Sequence, residues 1–412
     1  MGQPLDFFAC EAFLDQRTQR DRVSMNQRPA PDDGRLSRRL LAAALAALWV
    51  AFGLSFACRS GAAVPDPTTP NPLEVPIPVG VYPLSIVLPL HVGLFHWVDS
   101  IAGTSGGKTI PIYRSDFARR FHVLSPGDRF AVRKFRLARI FHAEGGTAAD
   151  RDALDPDVGG VASPRSGARY PPHGSQAMLG SFMSAQSTEG ALTALRGEMP
   201  KERTDDLRQA LDLFSARYLQ VWRESAWLPR FARELESPRF MQRLQSYLAQ
   251  MAAFFGVSPD APPRPRLVLV PVPPGGGTHA QAVGTDLLLE IRPGDDPAGQ
   301  AAVIAHENAH FLFNRIPPER LASLERAARR AGPRGAETWA VLHEALPTAL
   351  GQGIAASRFQ PRGFNNREDW YHIAAVDRLA KKIYPVLDRA FADGWSFDER
   401  LVGMFVRAAE GP

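Results

Sequence analysis

The chain has 412 residues, 45% hydrophobic and 22% charged, with a formal net charge of +5. This is globular composition with room for one catalytic-size domain plus extra segments, and it excludes a disordered or fibrous chain. A mean hydropathy of -0.19 excludes a polytopic membrane protein but allows one span, and a small positive charge without a clustered basic stripe argues against nucleic acid as a partner.

Residues 1–58 read as a targeting and membrane segment. The run 40–57, LLAAALAALWVAFGLSFA, is uncharged and follows Arg35, Arg38 and Arg39, the basic-then-apolar order of an export signal. It is slightly long for a cleaved signal and just long enough to span a bilayer. Asp6, Glu11, Asp15 and Asp21 do not suit the start of a signal, whereas a start at Met25 does. Cys58 after Ser55-Phe56-Ala57 resembles a lipoprotein cleavage site, with Ser55 where leucine is usual. Lipidation at Cys58, ordinary cleavage nearby and an uncleaved anchor all stay open. Each puts the rest of the chain at the cell envelope, facing the periplasm or exterior, with the N-terminal segment as the contact to membrane. The only cysteines, Cys10 and Cys58, lie in this segment, which excludes a disulfide framework or a cysteine zinc finger downstream.

Residues 59–90, with prolines recurring from Pro65 to Pro89, read as an extended tether. Residues 91–144 read as a small helical module, in which Ser125-Pro126 supplies a cap and first-turn pair. Residues 145–200 read as a flexible insertion, because they begin rich in Gly, Ala, Pro and Asp without apolar period. Residues 201–412 form the main domain. Leu207, Leu211, Phe214, Tyr218 and Val221 recur at helical spacing, and a second helix starts at Ser237-Pro238. RLVLVPV (266–272) and DLLLEI (286–291) read as strands joined through Gly275–Gly277, and only helices follow.

Residues 102–109, AGTSGGKT, satisfy a loose phosphate-loop pattern with Lys108 and Thr109 in place. The chemistry needs a helix opening at the lysine so that amide N–H groups face the phosphates. Ile110-Pro111-Ile112-Tyr113 reads instead as extended, so the segment is an ordinary glycine-rich turn and no nucleotide is expected.

Residues 306–310 read HENAH within DDPAGQAAVIAHENAHFLFNRIPP. Asp295 or Asp296 can cap this helix, Pro297 suits its first turn, and Pro317-Pro318 ends it. His306 and His310, at i and i+4, stack on one face and can share one zinc ion. Glu307 lies about 100° around the helix and can address a water on the metal. Ala302, Val303, Ala305, Ala309 and Leu312 make the surroundings apolar, where two histidines and a glutamate are costly without a partner.

A catalytic zinc needs a third protein ligand, and GAETWAVLHEALPTALGQG offers Glu337, His343 and Glu344. Here the chain resembles the gluzincins, zinc metallopeptidases that pair H-E-x-x-H with a glutamate on a later apolar helix. The resemblance covers residues 296–352 and implies Glu344 as the ligand, with Glu337 in reserve. Where that family often carries an acidic residue four positions on, this chain has Thr348. The family also implies a Tyr or His that stabilises the oxyanion, which points to Tyr371 and His372 in NNREDWYHIAA; His279 is a weaker alternative. The strand before the metal helix is expected to pair with an extended substrate.

The expectation is therefore an α+β, helix-rich protein with a zincin-like metallopeptidase core, a small antiparallel sheet and a preceding helical module. Its cofactor is one zinc ion, held by His306, His310 and Glu344. Its partner is a peptide or protein substrate, cleaved through a metal-activated water with Glu307 as general base. An endopeptidase is favoured, because the loop from Gly275 has no glutamate for a free amino terminus. The alternative is a cell-envelope binding or scaffold lipoprotein with a vestigial or structural metal site.

Overall fold

A computed structural model describes residues 82–105, 110–143, 172–257, 264–276, 279–331 and 333–411. Fourteen α-helices and four short strands are numbered here in chain order among these residues. The apolar run 40–57, the tether up to residue 81 and Lys108-Thr109 lie outside them. No helix among the described residues is long and apolar enough to cross a membrane.

The chain enters the fold at Tyr82, which is 1% exposed, and continues into β1 (Ser85–Val87). The expected tether therefore ends before Tyr82. Helices α1 (Leu90–Ala102), α2 (Ile110–Phe121) and α3 (Pro126–Ala143) follow. The extended reading of residues 110–113 is corrected: Pro111 falls in the first turn of α2, where its missing N–H is no loss. Tyr113 and Phe117 then point into the core. α3 begins as its sequence implied. Ser125 Oγ accepts from Asp128 N at 3.1 Å, and Ser125 N donates to Asp128 Oδ2 at 2.9 Å, a reciprocal cap.

The reading of a flexible stretch through residue 200 is corrected from residue 172 onward. Helices α4 (Pro172–Ser184) and α5 (Thr188–Leu195) occupy it, with Met178, Leu179, Phe182, Leu192 and Leu195 buried. Next come α6 (Lys201–Glu224), α7 (Leu228–Leu235) and α8 (Pro238–Phe255). Residues of α1 to α6 share one core with the sheet face carrying Val268, Val270, Val272, Val283 and Leu288. The boundary expected between residues 144 and 201 thus separates no two cores.

The remaining strands are β2 (Arg266–Pro271), β3 (Ala280–Val283) and β4 (Asp286–Ile291). The sheet order is β1-β2-β4-β3, with β1/β2 and β2/β4 parallel and β3/β4 antiparallel. The expected small antiparallel sheet is therefore corrected to a mixed one. β1 arrives from the far side of eight helices, a connection long enough for parallel pairing, and β3 turns back beside β4. The expectation that the strand before the metal helix is free to pair with a substrate is corrected, because β4 is bonded on both sides, by β2 and β3, and β3 is the edge. Every residue of β4 is buried, as a strand covered on both faces must be. Side chains alternate across it, so Leu287, Leu289 and Ile291 face away from the α1–α6 core.

On that second face lies α9 (Pro297–Phe313), in contact with β3 and β4. Asp296 caps it, accepting from Ala298 N and Gly299 N at 3.2 and 3.3 Å. α10 (Pro318–Arg330) reverses the chain. α11 (Pro333–Thr348) then returns against α9 and widens into a π-helical turn, Ala349–Ala355. α12 (Ala356–Phe359), α13 (Ala374–Ala392) and α14 (Glu399–Glu410) complete the fold.

Candidate metal centre

α9 presents His306 and His310 one turn apart, with ring centroids 4.8 Å apart and their Nε2 atoms 3.1 Å apart. α11 supplies the third group. Glu344 Oε2 lies 3.4 Å from His310 Nε2 and 3.9 Å from His306 Nε2. Among the described residues this is the group of three or more His, Cys, Asp or Glu side chains that could hold a metal ion. Donors at about 2.0–2.2 Å in a tetrahedron stand roughly 3.3–3.6 Å from one another; the observed 3.1, 3.4 and 3.9 Å bracket that range, and small side-chain shifts would let the group hold one divalent ion. Glu344 Oε2 is buried, with His310 Nε2 as its nearest partner at 3.4 Å, and a carboxylate withdrawn from water needs a cation beside it. Glu337, by contrast, is exposed, two turns towards the start of α11.

Electrostatics sharpen the same picture for the metal-free site. Burial, then the neighbouring His310, lowers His306 to about 4, so it stays neutral and available as a donor. Burial would raise Glu344, but the two histidines outweigh it and lower that carboxyl to about 2. Burial opposes charge on His310, yet Glu344 and Glu307 overcome it and raise its pKa. Glu344 thus favours a positive charge at His310, where an ion would neutralise it.

Glu307 points to the other side, towards the sheet edge. Its Oε2 accepts from the backbone N of Ala282 in β3 at 3.0 Å. Burial, with Glu344 adding to it, pushes its carboxyl up to about 7, the range in which a carboxylate exchanges protons readily at neutral pH. Tyr371 lies beside the cluster, its ring stacked on His306 at 6.1 Å between centroids and 12° between planes. The loop carrying it is held by Asp377, whose Oδ1 accepts from Trp370 N at 2.7 Å and Tyr371 N at 3.4 Å. His372 is exposed and packs on Tyr371, with ring centroids 4.5 Å apart.

His279 belongs elsewhere. It lies 3.8 Å from Glu290, which also takes His96 Nε2 at 2.6 Å and the Tyr113 hydroxyl at 3.3 Å. Glu290 is on the β4 face turned away from α9, so this buried cluster ties α1 and α2 to the sheet. His343 is next to Glu344 in the chain and is lowered by burial, but it is not among the converging donors.

Three contacts were not foreseen. Thr348 bonds back to the Glu344 carbonyl through its hydroxyl at 2.7 Å. Gln352, from the π-helical turn, places Oε1 3.2 Å from His306 Nδ1. Tyr82 donates its hydroxyl to Asn308, inside the HENAH motif, at 2.8 Å. The only sequence trace of the second was the pair of glycines flanking Gln352.

Comparison with protein-family models, curated proteins and solved structures finds no match to this chain.

Proposed function

We propose that the protein is a zinc-dependent peptidase of the zincin kind, with His306, His310 and Glu344 as the metal ligands. The observation that carries this reading is the convergence of the buried Oε2 of Glu344 with His306 Nε2 and His310 Nε2, on a helix whose Glu307 has its carboxyl near neutrality. A bound zinc ion would supply Lewis acidity, polarising the scissile carbonyl and making a water molecule easier to deprotonate. Glu307 accepts the proton of the attacking water and delivers it to the departing amine. Tyr371, stacked on His306, offers a hydroxyl to the oxygen that gains negative charge. β3 is the terminal strand of the sheet among the described residues, so an extended peptide can add beside it.

The N-terminal apolar run assigns this activity to the cell envelope. Fractionation of wild type and Cys58→Ser tests that part: recovery only in the cytosol overturns export. The function itself is tested by incubating purified protein with a mixed peptide library and identifying products. Zinc-dependent cleavage that a chelator abolishes supports the reading. One equivalent of bound zinc without any cleavage, in the presence of all substrates tried, turns it towards a structural metal site.

A further inference from the structure

The metal helix is flanked by a departure from α-helical geometry. After Thr348, α11 widens into the π-helical turn Ala349–Ala355. At about 100° per residue, an unbroken α-helix would carry residue 352 about 80° around the axis from residue 344. A turn bonded from i to i+5 advances only about 80° per residue. Four ordinary steps to Thr348 and four wide ones then bring Gln352 back to the face of Glu344, so both address α9.

The surroundings accommodate the wide turn. A Cβ on Gly351 would stand 2.5 Å from Ala302 O and 2.8 Å from His306 Cβ, so only glycine lets this backbone lie directly on the metal helix. Carbonyls near the widening are taken by hydroxyls: Glu344 O by Thr348 at 2.7 Å and Leu350 O by the buried Tyr247 at 2.7 Å. The result is Gln352 Oε1 against His306 Nδ1 at 3.2 Å.

We infer that the π-helical turn is a positioning device for the metal centre, in which Gln352 accepts the Nδ1–H of His306. That bond fixes the tautomer, so the lone pair of Nε2 faces His310 and Glu344 and the ring cannot rotate away. Groups that hold a ligating imidazole in this way commonly govern metal affinity by about 10–100-fold. The acceptor here is a neutral amide, which orients His306 without adding a negative charge to the site. The inference rests on the zinc-site reading for its consequence, but not for its hydrogen bond.

The test uses the full chain as wild type, Gln352→Met and Gln352→Glu. Zinc affinity is read by chelator competition, and the His306 tautomer of the metal-free protein by nitrogen-15 NMR. Methionine keeps the volume and removes the acceptor. It should weaken zinc binding by about 10–100-fold and let the ring proton leave Nδ1, with the metal-free melting temperature unchanged. Glutamate keeps an acceptor oxygen and should bind zinc at least as tightly as wild type, with the proton on Nδ1. Wild-type affinity and tautomer in Gln352→Met overturn the inference. So does weakened zinc binding in a folded Gln352→Glu, which decides the matter if the methionine variant does not fold. If wild type binds no zinc, the zinc reading fails by itself, and the metal-free tautomer alone decides the role of Gln352.

Discussion

The Glu307 carboxylate and the Ala282 backbone N–H, 3.0 Å apart, join the metal helix to the edge strand of the sheet. One bond therefore relates the group that would move protons to the strand along which a substrate would lie. Burial raises Glu307 to about 7 while this N–H works against the rise, so the carboxylate is both poised and aimed.

Glu307→Gln keeps an oxygen for the Ala282 N–H and removes the base. Zinc content and fold should persist, and peptide turnover should fall by about 10²–10⁴-fold. Steady-state hydrolysis beside elemental analysis reads both. Undiminished turnover removes Glu307 from the chemistry.

Zinc affinity should fall as pH falls through the neutral range. In the metal-free site Glu344 and Glu307 raise His310 above its usual value against the effect of burial, so a proton held there must leave before His310 can donate to an ion. His306, lowered to about 4, and Glu344, to about 2, do not compete in this range. Competition titrations should show a loss of about tenfold per unit on the acid side of the His310 titration and a plateau on its alkaline side. Affinity independent of pH on the acid side contradicts the proton on His310.

Gly351→Ala should destabilise the protein by about 1–3 kcal/mol, because the new methyl meets the Ala302 carbonyl and His306 Cβ. Thermal unfolding of the metal-free variant measures the cost. An unchanged melting temperature would mean that the contact between the π-helical turn and α9 is loose.

Arg139 and Asp99 form a two-point ion pair at 2.9 and 2.7 Å, 3% and 2% exposed, inside the α1–α3 packing. Arg139→Met leaves Asp99 buried without its cation and should cost about 3–5 kcal/mol. Denaturant unfolding tests this. A loss under about 1 kcal/mol would mean that Asp99 finds other compensation.

The metal helix was legible because its signals are local: a cap at Asp296, proline next to it, and two histidines one turn apart. Glu344 could be singled out from burial among Leu342, Ala345 and Leu346 together with a family pattern, and the structure brings it to the two histidines. The parallel pairing of β1 was hidden because its three residues, Ser85–Val87, are too few to show alternation. α4 was hidden because its glycine, serine and alanine content gives little apolar period, so its helical state comes from packing of Met178, Leu179 and Phe182. Gln352 was out of reach for a geometric reason: reading at α-helical pitch turns it away from Glu344, and only the wide turn turns it back. Tyr371 was marked by resemblance, and its stacking on His306 depends on Asp377 holding a loop without regular structure.

The identity of the third ligand is the point on which everything else depends. Elemental analysis of purified wild type, Glu344→Ala and Glu337→Ala, each dialysed against the same zinc buffer, measures it directly. The account predicts one zinc per chain in wild type and Glu337→Ala, and loss of the ion from a folded Glu344→Ala. Zinc retained in Glu344→Ala, or lost only in Glu337→Ala, would contradict it.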